Sequence, residues 1–329
     1  MSRTPHWLEA RLAEFAASID GDRRAHAYLL SGPAGVGKRV LAAAMAHAAF
    51  GGRVPLTLAP EWPSHADFHR IAPLDGKTML AVEQVRELIV ELTMTAYAGG
   101  TKVAIVEAAD TMSHAAANAL LKTLEEPPGD CCIVLIADRL LNLPATILSR
   151  CVHWKLAAPA SNEATRDWVD ASDSSRAARA LRMAAGGPLQ ARAWLDDGTA
   201  AEWDELEAGL NDLVAGGADA AALASTWSRR ELPQLLRFLL AVVEDAIHAA
   251  LASGRAATLC RPAIESVAGS VDVRDLFCYQ DRVRQLLAQP KGSYSEPAVL
   301  ETLLLAWQRR FRGQGSELPL LPVRAAGPR

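Results

Sequence analysis

Three glycines, a lysine and an arginine stand together in Gly32-Pro-Ala-Gly35-Val-Gly37-Lys38-Arg39. An apolar run, Ala27-Tyr-Leu-Leu-Ser31, precedes them, and an alanine-rich helical segment, Val40 to Phe50, follows. A strand, a glycine-rich turn and a helix N-terminus in that order make a phosphate cradle. Glycines let backbone N–H groups converge on phosphate oxygens, and the helix end adds partial positive charge. The lysine of such a loop reaches the terminal phosphates. A loop that also hydrolyses its nucleotide continues with Ser or Thr, whose hydroxyl ligates Mg²⁺. Here the residue is Arg39, and a guanidinium carries no lone pair for a metal. Gly32, Gly35, Gly37, Lys38 and Arg39 therefore form the expected nucleotide-phosphate site. ADP or ATP would be held there without hydrolysis, with no cofactor required and no metal ligated. The same residues also fit a glycine-rich turn that holds nothing.

A second strand, Lys102-Val-Ala-Ile-Val106, runs into Glu107-Ala-Ala-Asp110. In a hydrolysing P-loop protein the acid ending this strand holds Mg²⁺, and an adjacent Glu polarises the attacking water. Glu107 takes the first place with one methylene too many, and Ala108 takes the second. Alanine neither orients nor deprotonates water. Glu107 reads more simply as a solvated carboxylate at a strand end.

Other reactive side chains have plainer readings. His65-x-x-x-His69 would put two imidazoles on one helical face, but Pro63 and the lack of a third ligand favour two solvent histidines. His26 is either a contact to a nucleotide base or a packed, capping histidine. Cys131 and Cys132 begin an apolar run and read as core. Arg309, Arg310 and Arg312 form a small basic cluster, most simply a solvated helix face.

The elements that must position these residues alternate. Trp7 to Ile19 has apolar residues at helical spacing, with Leu8, Leu12, Phe15 and Ile19 on one face. Val82 to Leu92 and Ala115 to Glu125 are helical, and Cys132-Ile-Val-Leu-Ile136 is a third apolar run. Gly51 to Pro73 carries prolines and no clear period and reads as a loop or irregular insertion. Strands alternating with helices of this length indicate an α/β fold with a parallel sheet. After Pro159 the strand signal ends. Residues 160–200 read as two or three short helices around Gly186-Gly-Pro188. From Glu202 to Phe311 the chain reads as helical throughout. Leu232, Leu235, Leu236, Leu239, Val243, Ile247 and Leu251 form an apolar stripe there.

Composition bounds the reading. With 329 residues, 50% of them hydrophobic, the chain is long enough for two or three domains and too apolar for a disordered one. A formal charge of −4 argues against a protein that grips nucleic acid alone through its phosphates. The 5 cysteines, Cys131, Cys132, Cys151, Cys260 and Cys278, are odd in number and show no Cys-x-x-Cys pair, which fits reduced thiols. The charged N-terminus is unlike a signal peptide, and no apolar run is long enough to span a membrane. The expectation is a cytoplasmic protein.

Asn118-Ala-Leu-Leu-Lys-Thr-Leu-Glu-Glu-Pro-Pro128, a following strand and Leu148-Ser-Arg-Cys151 together resemble the clamp-loader branch of the AAA+ family. Val82-Glu-Gln-Val-Arg-Glu-Leu88 and Ala25-His-Ala-Tyr-Leu-Leu30 resemble the same group, so the likeness runs from about residue 20 to 155. It implies a P-loop AAA+ domain over 1–158, a helical lid over 159–203 and an all-helical collar over 204–312; residues 313–329, with their loosely spaced prolines and glycines, read as a flexible tail. It also implies that Ser149, Arg150 and Cys151 are the family's arginine-finger triplet, with a strand ending at Cys151 and Cys151 packed beneath the finger. Motor subunits of the family (gamma/tau) keep Thr after the P-loop lysine and an Asp-Glu pair in Walker B. This chain resembles instead the non-motor branch, in which the nucleotide site is inactive and Ser-Arg-Cys is retained. The resemblance then implies other clamp-loader subunits (gamma/tau, delta) as partners. The sliding clamp and primer–template DNA would be reached through the complex. The four-cysteine zinc module of many relatives is missing, since Gly51 to Arg70 holds no cysteine. Two other readings stand beside this one: a gamma/tau-like ATPase, and a P-loop kinase or other nucleotide-handling enzyme. The kinase reading leaves Asn118 to Pro128 and Ser149 to Cys151 unexplained.

Overall fold

Strands that are apolar at every position form when both faces of a sheet are covered. Ala27–Ser31 (β1), Lys102–Val106 (β3) and Cys131–Ala137 (β4) are buried along their whole length. In the computed structural model, which describes residues 5–20, 24–52, 56, 61–74, 77, 79–97, 100–251, 271–288 and 295–311, these three runs are the middle of a parallel sheet. Phe68–Ile71 (β2) and Val152–Lys155 (β5) are its edges, and the strand order is β2-β3-β4-β1-β5. Register is set by pairs such as Leu29↔Leu135 and Ile105↔Val134.

Side chains alternate across the sheet with period two, so each strand feeds two cores. Tyr28, Leu30, Val103, Ile105, Val134 and Ile136 pack under His6–Asp20 (α1) and Lys38–Ala49 (α2). Ala27, Leu29, Ala104, Val106, Ile133 and Leu135 pack under Val82–Thr93 (α3) and His114–Glu125 (α4). Ser113 caps α4, its hydroxyl accepting from Ala116 N at 3.2 Å, which starts that helix without an acidic first turn.

Two sequence expectations are corrected at the edges. The segment 51–73 is not all loop, since it contains β2, which pairs in parallel with β3 through Phe68↔Val103 and Ile71↔Val106. Only four residues long and carrying His69 and Arg70, β2 offers no apolar period to read. No strand ends at Cys151: a short helix, Ala145–Leu148 (α5), precedes it, and β5 begins after it at Val152. Of β5 only Trp154 is buried, as an edge strand permits.

The chain divides into two compact units, Met1–Ala193 and Trp194–Arg329. The first holds the sheet with α1 to α5, and also Glu163–Val169 (α6), Ser174–Met183 (α7) and most of Pro188–Asp196 (α8). Asp173 caps α7 by accepting from Ser175 N and Arg176 N, both at 2.9 Å. The described residues of the second unit form helices: Thr199–Ala215 (α9), Ala220–Trp227 (α10), Leu232–Leu251 (α11), Val273–Ala288 (α12) and Glu296–Phe311 (α13). Leu232, Leu235, Leu236, Leu239, Val243 and Ile247 are buried, whereas Leu251 is exposed. Trp203 meets Phe238 edge-on at 5.4 Å, and Tyr279 meets Trp307 at the same distance. Arg309 is exposed, while Arg312, Cys260 and the segment 313–329 lie outside the described residues. No described helix is long and apolar enough to cross a membrane.

Candidate functional site

Parallel α/β sheets bind ligands at the carboxyl ends of their strands. Here three adjacent strands, β3, β4 and β1, deliver Glu107, Asp138 and the loop 32–37 to one edge. A cavity of about 420 Å³ opens there, lined by the loop, Lys38, Arg39, Glu107, Asp110 and Asp138 among others.

The loop requires its glycines. Gly35 adopts φ +77°, and a Cβ on it would fall 2.5 Å from Gln190 Cβ and 2.8 Å from Gln190 N. Gly32 adopts φ +147°, and a Cβ there would fall 2.1 Å from the Leu156 carbonyl oxygen. Both the left-handed backbone and the close approach exclude a side chain. The first turn of α8 therefore lies directly on the loop, with Leu189 N donating to Gly35 O at 3.0 Å. On the other side Trp7 Nε1 donates to Val36 O at 2.9 Å, and the Trp7 ring meets Trp168 edge-on at 4.9 Å.

Lys38 is 5% exposed and turns inward. Its ammonium donates to Gly32 O at 2.7 Å and Pro33 O at 2.6 Å, and pairs with Asp138 Oδ1 at 2.7 Å. An ammonium has three donors, and all three are engaged. Arg39 Nε lies 2.8 Å from Glu107 Oε2, and Arg70 Nε lies 2.5 Å from Glu107 Oε1. Glu107 is not the solvated carboxylate its place at a strand end suggests. It is 8% exposed, because arginines from α2 and β2 close over both oxygens. Arg70 in turn stacks over Trp62, its guanidinium carbon 4.9 Å from the ring centroid. Ala108 has φ 50° and only turns the chain: Thr111 N and Thr111 Oγ1 both donate to its carbonyl, at 2.8 and 2.7 Å.

Arg150 sits in the turn between α5 and β5. Its Nη1 donates to Thr146 O at 2.9 Å and to Ser149 Oγ at 3.2 Å, and its Nη2 pairs with Glu125, the last residue of α4. Ser149 is exposed, and its hydroxyl donates to Thr146 O at 3.1 Å. Cys151 packs against the core under α3 and α4, and burial pushes its thiol up to about 12. Cys131 and Cys132 are buried, and burial likewise raises their thiols to about 11 and about 12. Such thiols are poor nucleophiles at neutral pH.

The fold thus gathers Gly35, Gly37, Lys38 and Arg39 around one cavity with Glu107, while Gly32 does not line it and meets the site only through its carbonyl, which accepts from Lys38. Ser149, Arg150 and Cys151 are held in the α5–β5 turn. His26 contacts the Leu124 carbonyl at 2.9 Å, as a capping histidine does. His65 and His69 are not on one helical face: His69 lies in β2, and His65 stacks on Phe50 at 4.0 Å. Among the described residues no group of three or more His, Cys, Asp or Glu is arranged to hold a metal ion. Sequence reasoning missed Asp138 and Arg70. Asp138 is the first polar residue after the apolar run of β4, and a carboxylate in that place points at the ligand edge of a parallel sheet. Arg70 gave no comparable signal, because its strand was not legible.

The comparisons with known proteins agree with one another. Residues 7–160 match the family described as "DNA polymerase III, delta subunit". The "DNA polymerase III subunit delta'" of Pseudomonas aeruginosa is 35% identical over 226 residues, covering 65% of this chain and 69% of that protein. Its namesake from Escherichia coli K12 is 32% identical over 260 residues, covering 73% and 75%. A DNA polymerase III gamma subunit-related protein from Thermotoga maritima shares the fold, with a TM-score of 0.52 at 15% identity over 92% of this chain and 99% of that one. Two-thirds of a delta' chain at this identity leaves one assignment: the protein belongs to the delta' family of DNA polymerase III subunits.

Proposed function

We propose that this chain is a non-motor subunit of the DNA polymerase III clamp loader, working in the cytoplasm. In this reading it supplies Arg150 in trans to ATP held by a neighbouring gamma/tau motor subunit. The complex, which also includes delta, then places the sliding clamp on primed DNA. The 204–312 segment joins the collar that holds the subunits together. An arginine finger acts by setting a fixed cation against charge that develops on the transferred phosphoryl group, an effect of about 10³–10⁵ in rate. Its planar fork meets two oxygens at once, which lysine does not copy.

The observation that carries this reading is the contrast between two sites on one chain. At the P-loop the two places that would ligate Mg²⁺ are Arg39 and Glu107, and they are bonded to each other. At the α5–β5 turn Arg150 is 32% exposed and is held by an exposed helix end and a half-exposed carboxylate. A guanidinium held there is available to a partner, whereas the chain's own site lacks the means of hydrolysis. Relatives that carry the name of a polymerase subunit support an assembly. No bound nucleotide is required for this role.

The test is Arg150→Ala in the reconstituted loader. Assembly on size exclusion should be unchanged, and clamp-stimulated ATP hydrolysis should slow at least tenfold. Normal turnover in a correctly assembled mutant complex would end the proposal.

A further inference from the structure

The P-loop is already filled with its own charges. A nucleotide phosphate binds such a loop by taking the lysine ammonium and the loop amides as donors. In this chain the ammonium of Lys38 has no donor left, because Gly32 O, Pro33 O and Asp138 Oδ1 take all three. The lysine side chain is 5% exposed and the Asp138 side chain 54%, so the aspartate is the partner free to leave. The lining adds no surplus of positive charge. It carries Lys38 and Arg39 against Glu107, Asp110 and Asp138. Arg39 is spent on Glu107, and that carboxylate also takes Arg70.

We infer that Asp138 is a built-in competitor for phosphate: its carboxylate stands on Lys38 where a nucleoside di- or triphosphate would place an oxygen, and it sets the affinity of the loop. An incoming polyphosphate must displace the carboxylate and then lie beside it as a like charge. Both requirements weaken binding. Removing the charge at residue 138 leaves an ammonium with an open donor, facing an existing cavity of about 420 Å³. The gain requires no metal, since it comes from the Lys38 ammonium itself; Arg39 has no lone pair for Mg²⁺, and each oxygen of Glu107 already accepts from an arginine. The inference concerns the chain's own loop and stands apart from what Arg150 does in a complex.

The experiment is calorimetric titration of the full chain with ADP, and separately with inorganic pyrophosphate, in EDTA. Asp138→Asn and Asp138→Ala should each bind ADP and pyrophosphate at least tenfold more tightly than the parent chain. Adding Lys38→Ala to Asp138→Asn should abolish the gain. Thermal unfolding followed by circular dichroism establishes that the variants are folded, and a half-exposed aspartate is a benign place for substitution. Equal affinity in the parent and both aspartate variants overturns the inference. So does tightening that survives loss of Lys38, since the phosphate would then be held elsewhere.

Discussion

Arg150 and Glu125 are paired across the gap between the α5–β5 turn and the end of α4, so the two most family-specific stretches of the sequence meet through one ion pair. Both side chains are partly exposed, and such pairs contribute about 1 kcal/mol or less. Arg150→Ala and Glu125→Gln should therefore lower the melting temperature of the isolated chain by only a few degrees. In the assembled loader they should diverge. Arg150→Lys restores little of the ATPase lost in Arg150→Ala, while Glu125→Gln stays within a few-fold of the parent. A large loss of stability in Arg150→Ala, with turnover intact, would show that the arginine serves its own domain.

The isolated chain should hydrolyse ATP no faster than background. Arg39 replaces the metal-binding hydroxyl, Glu107 is held by two arginines, and Ala108 has no side chain to orient water. The check is phosphate release by pure protein beside its Lys38→Ala variant. Turnover that disappears with the lysine would mean that the site is active.

Gly35→Ala should destabilise the first unit by about 1–3 kcal/mol, the usual cost of a non-glycine residue in the left-handed backbone region. The added methyl also meets the Gln190 backbone at 2.8 Å, so the loop or α8 must shift. Gly51→Ala is the control. It has φ +75° but no atom within 4 Å of the new Cβ, and should cost less. Urea unfolding of both variants separates backbone strain from the clash. Equal losses would mean that α8 does not press on the loop.

Thiol chemistry should follow burial. Burial raises Cys131, Cys132 and Cys151 well above the ordinary value of 9.0, to about 11, about 12 and about 12. Iodoacetamide at pH 8 should modify the exposed Cys278 far sooner than these three, as read by peptide mass spectrometry. The folded state keeps protons that the unfolded chain releases above about pH 9. The stability these thiols contribute is thus complete below pH 9 and lost as pH rises toward 12. A Cys151→Ala variant should lose less stability between pH 8 and pH 10.5 than the parent.

A chain ending at Ala193 removes the second compact unit entirely. It should keep a cooperative unfolding transition, because both faces of the sheet are covered within the first unit. If the 204–312 helices form the collar, the truncated chain should fail to co-elute with the motor subunits on size exclusion. Normal co-elution would move the assembly surface to the first unit.

Much of this protein is legible from its residues in order. Uniform apolar runs identify β1, β3 and β4, because a strand covered on both faces must be apolar at every position. The loop Gly32 to Arg39 shows the strand–glycine–helix order from which a phosphate cradle is expected. Arg39 and Ala108 show from their side-chain chemistry alone that the metal and water contacts are missing. Ser149-Arg150-Cys151 and Asn118 to Pro128 carry the resemblance to the clamp-loader family. Folding was needed for the rest. β2 and β5 carry too few buried side chains to show a period, so their existence depends on neighbours supplied by β3 and β1. Glu107 looks solvated until β2 brings Arg70 beside Arg39. Lys38 looks free until β4 places Asp138 against it, and Arg150 looks unpaired until α4 ends next to it at Glu125. Each of these pairings joins residues far apart in the chain. Local pattern reports what a segment buries, whereas the partner of a charge is decided by which strand lies next to which.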